Sequence, residues 1–212
     1  MAKTRIKICG IVSESDALEC LKAGADYLGF NFWRGSPRHI EPQQAKEILE
    51  RLRQSGVTRL DAVGVFVDAP AEEIRRTLAA CGANIVQLHG SESPQDVAAL
   101  QGLFRIKAIQ IEDPSCAKAM DRYGAEAYLA DSPSSGGRGG TGQAYDYSLT
   151  IEAARRHRLF LAGGLTAETV GQAIEMVRPY GVDVASGVEI SPGVKDIEKV
   201  RAFCKAVREA AA

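Results

Sequence analysis

Alternation is the strictest constraint on this chain: short runs rich in β-forming residues begin near Arg5, Asp26, Asp61, Asn84, Leu103, Glu126, Arg158 and Val182, with helical patterns or loops between them. No Pro/Ser/Gly-rich linker breaks the series, which argues for one closed parallel barrel of eight strands. The expected fold class is α/β, a single (β/α)8 or TIM barrel over residues 1–212, at the lower end of the usual size. A doubly wound open sheet is the runner-up, but no G-x-G-x-x-G follows the first strand.

Local signals support the helices. Ser13 opens the first, with Asp16 expected to complete a capping box; Ala17, Leu18 and Leu21 share a face, and Gly24 is the stop. Pro42 suits a first turn ahead of Ala45, Ile48, Leu49 and Leu52. Residues 71–81, 94–100, 149–156, 168–177 and 196–209 read as helices too, and the crossover over 113–123 fits the pattern least well.

Composition narrows the class. Hydrophobic residues at 45%, charged residues at 25% and a net charge of −1 describe an ordinary globular chain, so no nucleic-acid partner is expected. No signal-peptide core and no membrane-length apolar run are visible, so no membrane association and a cytoplasmic location are expected. The five cysteines are scattered and lack a C-x-x-C, which supports neither a disulfide framework nor a zinc site.

The stretch LFLAGGLTAETVG, residues 159–171, reads as a strand buried on both faces that ends in two glycines. Thr166 is the expected N-cap of the next helix and Glu168 lies in its first turn, so helix N–H groups would point back at Gly163 and Gly164. Small residues there let an anion approach the main chain. Residues 182–185 form a second such strand, closed by Ser186 and Gly187. Two consecutive turns of this kind suggest a phosphate held between the loops after strands seven and eight by Gly163, Gly164, Ser186 and Gly187. A tight turn without a ligand is the alternative for each alone.

Two loops exceed what a crossover needs, FWRGSPRHI at 32–40 and SPSSGGRGGTGQAYDY at 132–147. Both follow strand C-termini, the face that carries the sites of such barrels, and the second reads as a lid, with a disordered insertion as its alternative.

Side-chain alternation then selects candidates. In RIKICG, Ile6 and Ile8 suit the helix-facing surface, so Arg5, Lys7 and Cys9 point into the lumen with Cys9 uppermost. In AYLAD, Tyr128 and Ala130 point outward and Asp131 inward, again at the strand end. A closed barrel makes strand eight the neighbour of strand one, so Asp131 and Cys9 flank the phosphate turns, an arrangement suited to an acid and a base acting on one sugar phosphate. Arg38, beyond Cys9, offers a guanidinium for a carboxylate, with a surface arginine as the equal alternative. His89 and Asp68 are weaker candidates for ligand contact, and Asp183 could bind a sugar hydroxyl. Lys7 is expected to pair with an acid inside the barrel.

The motifs RIKICGI, LGFNF with SPRHI, VGVFVD, VQLHG, the aspartate-ended strand with GGTG, LAGGLT, and VASGVE with PGVKD together resemble the phosphoribosylanthranilate isomerase family over essentially the whole chain. The resemblance implies an Amadori rearrangement of N-(5′-phosphoribosyl)anthranilate, a phosphorylated small-molecule substrate, with no metal and no cofactor, in a monomer or homodimer. It assigns Cys9 as general base, Asp131 as general acid, Arg38 to the anthranilate carboxylate and the AGG and SG turns to the phosphate. Base catalysis by a thiol calls for a site that lowers its pKa, with Lys7 or a helix terminus as the expected cause. Indole-glycerol-phosphate synthase would share the phosphate turns but needs catalytic lysine and glutamate at strand ends; a sugar-phosphate sensor would need neither Cys9 nor Asp131.

Overall fold

The computed structural model describes residues 3–133 and 145–210. Eight parallel strands close on themselves: β1 (Arg5–Cys9), β2 (Tyr27–Asn31), β3 (Asp61–Phe66), β4 (Ile85–Leu88), β5 (Phe104–Gln110), β6 (Ala127–Asp131), β7 (Leu159–Leu161) and β8 (Gly181–Val184). Closure is made by β1 against β8, where Lys7 lies opposite Asp183. The expected barrel is therefore present, with every strand within a residue or so of its expected start.

Period-two alternation splits the apolar residues into two cores. Val63, Val65, Ile85, Ile106, Leu129 and Phe160 fill the lumen. Ile6, Ile8, Leu28, Phe30, Tyr128 and Ala130 face outward, under a coat of helices. That coat comprises α1 (Glu14–Ala23), α2 (Pro42–Gln54), α3 (Ala71–Cys81), α4 (Pro94–Ala98), α5 (Cys116–Asp121), α6 (Ile151–Arg156), α7 (Val170–Val177) and α8 (Ile197–Ala210). Helix α2 shows the logic: Pro42 starts it, and Ala45, Ile48, Leu49 and Leu52 are its buried stripe. The poorly patterned fifth crossover is helical, though only over six residues. No helix of the described residues is long and apolar enough to cross a membrane.

Two local readings need correction, and one element lies beyond them. The helix after β7 begins at Val170, not beside Thr166: Thr166 carbonyl oxygen accepts from Thr169 and Val170 N–H, and Thr169 takes the N-cap position. A preliminary turn thus separates the glycine pair from the helix N-terminus. At α1, Ser13 Oγ accepts from Asp16 N–H at 3.1 Å, but the Asp16 carboxylate accepts from Lys195 N–H at 3.2 Å, so the cap does not form the expected box. Finally, β8 is followed by a 3-10 turn at Ser186–Val188 and a small antiparallel hairpin, β9 (Glu189–Ser191) with β10 (Val194–Lys195). Most of the expected lid over 132–147 lies outside the described residues.

Candidate active site

The C-terminal mouth of the barrel gathers Cys9, Arg38, His89, Asp131, Gly163, Gly164, Asp183 and Ser186 around one cleft. A larger groove, about 900 Å³, lies at the opposite end among Arg5, Arg158 and Arg178 and holds none of the expected site residues.

Lys7 is wholly buried at the floor of the cleft and donates to Asp183 Oδ1 at 2.8 Å. Burial alone would lower the Lys7 pKa, but the charge of Asp183 and the nearby Cys9 more than offset it, so the ammonium is held above its ordinary value. Asp183 thus has a structural partner as well as a face on the cleft. Cys9, two residues further along β1, faces Gly29 of β2. Its thiol is pushed up: burial is the largest cause and Asp183 adds to it, while Lys7 and Lys195 oppose them. The expected lowering is therefore absent: two ammonium groups pull the thiol down, but desolvation outweighs them.

Arg38 is not the free loop arginine that its sequence context allowed. Its Nε donates to Glu189 Oε1 at 2.9 Å and its Nη2 to Glu189 Oε2 at 2.7 Å. Lys195 Nζ donates at 2.7 Å to Glu189 Oε1, the oxygen that also accepts from Arg38 Nε, and to the Cys9 carbonyl oxygen at 2.6 Å. The result is a buried plus–minus–plus array that ties the hairpin to the end of β1. Burial alone would raise the Glu189 pKa, yet Arg38 and Lys195 hold it below the ordinary carboxylate range. Neither Glu189 nor Lys195 was identified as a site residue from the residues themselves; the only signal was their presence in the VASGVE and PGVKD motifs. The arginine also needs the glycine of KICG: Gly10 sits at φ +80°, and a Cβ there would meet Arg38 Cδ at 2.5 Å.

The loop after β2 is built around Asn31 and Ser36. Asn31 Oδ1 accepts from Trp33 N–H at 3.0 Å and its Nδ2 donates to Ser36 Oγ at 3.1 Å, while Ser36 Oγ accepts from Arg38 N–H at 3.1 Å. The turn therefore brings both Trp33 and Arg38 to the cleft.

Across the mouth, Asp131 Oδ1 accepts from Ser132 N–H at 2.8 Å and Oδ2 lies 3.1 Å from His89 Nε2. His89 therefore meets the expected acid directly. Asp68, the weaker candidate, shapes the neighbouring loops instead, with φ at +51° and Oδ1 accepting from Ser91 N–H at 2.6 Å. Glu92 holds the turn after His89 by accepting from Gly90 N–H and from the buried Lys107 at 2.8 Å.

The paired turns after β7 and β8 interlock. Gly163 and Gly164 have φ of +83° and +66°, backbone that favours glycine. A Cβ on Gly163 would meet Ser132 N at 2.9 Å, and one on Gly187 would collide with the Leu165 carbonyl oxygen. Gly187 thus seats one turn against the other, while Gly163, Gly164 and Ser186 border the cleft.

Residues 6–206 match the family model described as N-(5′-phosphoribosyl)anthranilate isomerase. A relative of that name from Pelobacter propionicus is 43% identical over 205 residues, covering 97% of this chain and 96% of the relative. Among solved structures, the phosphoribosyl anthranilate isomerase from Thermus thermophilus aligns with a TM-score of 0.86 at 37% identity, covering 97% of this chain and 99% of that one. Another isomerase of this kind, solved in complex with reduced 1-(o-carboxyphenylamino)-1-deoxyribulose 5-phosphate, aligns with a TM-score of 0.85 at 34% identity over 97% and 99% of the two chains. Similarity of this extent, on a barrel whose mouth joins Cys9, Asp131 and Arg38, makes the chain a member of the N-(5′-phosphoribosyl)anthranilate isomerase family.

Proposed function

We propose that the chain catalyses the Amadori rearrangement of N-(5′-phosphoribosyl)anthranilate to 1-(2-carboxyphenylamino)-1-deoxyribulose 5-phosphate, a step of tryptophan biosynthesis, with Cys9 and Asp131 as its proton-transfer groups. The observation that carries the reading is their placement: β6 brings Asp131 and β1 brings Cys9 to opposite sides of the glycine turns that end β7 and β8.

In this reading the main chain at Gly163, Gly164 and Ser186 receives the phosphate, and Gly187 keeps the two turns together. Arg38 receives the anthranilate carboxylate on the guanidinium edge that Glu189 leaves open. Protonated Asp131 gives its proton to the furanose ring oxygen; the C1–O bond breaks and the aminal becomes a protonated Schiff base. The iminium then makes the proton on C2 acidic. Cys9, as thiolate, takes that proton, the electron pair passes through C1 to nitrogen, and the resulting enolamine becomes the ketone as C1 gains a proton and the C2 hydroxyl gives one up. Lys7 and Lys195 supply the positive charge that favours the thiolate, and Asp183, paired with Lys7, presents its carboxylate to a sugar hydroxyl. Cysteine and aspartate stand where indole-glycerol-phosphate synthase would need lysine and glutamate.

The test is the loss of anthranilate-type fluorescence when purified protein meets freshly prepared substrate. Turnover that is lost in both Cys9→Ala and Asp131→Asn is the expected result. A protein that binds the reduced product analogue without turning substrate over would instead be a sugar-phosphate sensor.

A further inference from the structure

Gln87 has no part in the chemistry above, yet it is fully buried on the lumen face of β4, two residues before His89. Its Nε2 lies 2.8 Å from His89 Nδ1. An amide nitrogen can only donate, so Nδ1 accepts, and the proton of the neutral ring sits on Nε2, which is 3.1 Å from Asp131 Oδ2. Donation thus runs in one direction, from Gln87 to His89 to Asp131. The arrangement leaves Gln87 Oε1 as a buried acceptor with no partner among the described residues. Buried polar atoms in that condition are uncommon and call for an explanation. Reversing the amide supplies one, since Oε1 would then accept from a proton on Nδ1: either the ring is the imidazolium, still donating from Nε2 to Asp131, or it is the other neutral tautomer, whose Nε2 accepts from a protonated Asp131. A Gln87 amide that donates to Nδ1 excludes that second tautomer and keeps an N–H toward Asp131.

On the reading given under Proposed function, we infer that Gln87 is a positioning residue for the acid side of the site, which keeps the His89 proton on Nε2 and so presents a donor to Asp131 throughout the reaction. When Asp131 releases its proton to the ring oxygen, a full negative charge forms on the carboxylate, and the hydrogen bond from His89 strengthens at that moment. His89 keeps its own proton. The bond is worth more in the transition state than before it, so its loss falls on kcat rather than on binding. The charged groups around His89 are Asp131 on β6, Lys107 on β5, Glu92 and Asp68 in the adjoining loops, and Cys9, Arg38 and Asp183 across the cleft.

Nitrogen NMR of the ligand-free protein, labelled at histidine and assigned by the signal lost in His89→Gln, reads the ring directly. At a pH where the ring is neutral, the wild type should show His89 protonated on Nε2. Gln87→Leu should give a mixture of tautomers, with kcat reduced about tenfold, part of the ~10²–10⁴ that a positioned acid contributes, and KM changed little. Gln87→Glu keeps the size and polarity of the side chain but can only accept, so it should hold His89 doubly protonated to higher pH and shift the pH profile of kcat with it. Gln87→Leu with an unchanged Nε2-protonated ring and unchanged kcat would overturn the proposal, as would Gln87→Glu with a wild-type His89 titration. The ring spectrum needs no substrate: absence of turnover in a wild type with the expected tautomer would count against the proposed reaction and not against the role of Gln87 toward His89.

Discussion

Cys9 and Gly29 face each other across the β1–β2 ladder, and a methyl group on Gly29 would stand 2.8 Å from the Cys9 sulfur. The strand therefore leaves the thiol its place by carrying no side chain opposite it. Gly29→Ala should push the sulfur off its position while costing about 1–3 kcal/mol of stability, as overpacking usually does. We expect a folded protein with a slightly lower Tm and a kcat reduced about tenfold or more, since a displaced base loses its alignment with the C2 proton. Steady-state kinetics beside a thermal melt checks this, and wild-type kcat would mean that the sulfur position does not matter.

The raised thiol predicts the shape of the pH profile. Burial holds the Cys9 proton above the ordinary thiol range, so the thiolate becomes more abundant as pH rises and kcat/KM should climb through neutrality into the alkaline range. Lys7 and Lys195 act in the opposite sense to burial. Lys195→Met should therefore move the rising limb to higher pH. A limb that stays in place would separate Lys195 from the thiol.

Glu189 sits between two cations and is 7% exposed, so its removal leaves positive charges buried together. Breaking a buried pair by deleting one partner typically costs ~3–5 kcal/mol, and Glu189→Gln should lower Tm accordingly. It should also raise KM, because Arg38 loses the carboxylate that aims it. Arg38→Met should raise KM more than it lowers kcat, uniform binding being lost. Collapse of kcat with an unchanged KM in Arg38→Met would instead give the arginine a part in the chemistry.

Cys9→Ser distinguishes a base from a packing residue. A hydroxyl of similar shape does not ionise near neutral pH, so serine should fall by the ~10²–10⁴ expected for loss of a positioned base, as should Asp131→Asn for loss of the acid. Full activity in Cys9→Ser with an unaltered pH profile would remove Cys9 from the reaction.

The strands are legible as short β-rich runs spaced by helical patterns, and period-two alternation in β1, β6 and β8 puts Lys7, Cys9, Asp131 and Asp183 in the lumen. Which charge Lys7 meets depends on closure, and the register of β1 against β8 supplies Asp183. Helix α7 was placed too early because Thr166 and Thr169 are both good cap residues one turn apart, and local sequence does not choose between them. The hairpin was not legible at all. Its strands have three and two residues, too short for any periodicity, and its main task is contact with an arginine 151 positions away. Gln87 is hidden for a related reason: an amide among apolar neighbours gives no sign in sequence that it faces an imidazole.

The array of Lys195, Glu189 and Arg38 has a consequence for how the molecule is made. Cys9 ends β1, and the ammonium on its carbonyl comes 186 residues later in the chain. Lys7 likewise waits 176 residues for Asp183. A nascent chain that has completed seven strands therefore holds Lys7, Cys9 and Arg38 but lacks Asp183, Glu189 and Lys195, the partners that fix them in place. In the proposed reaction the acid–base site is therefore complete only when the final strand and its hairpin have closed on the first.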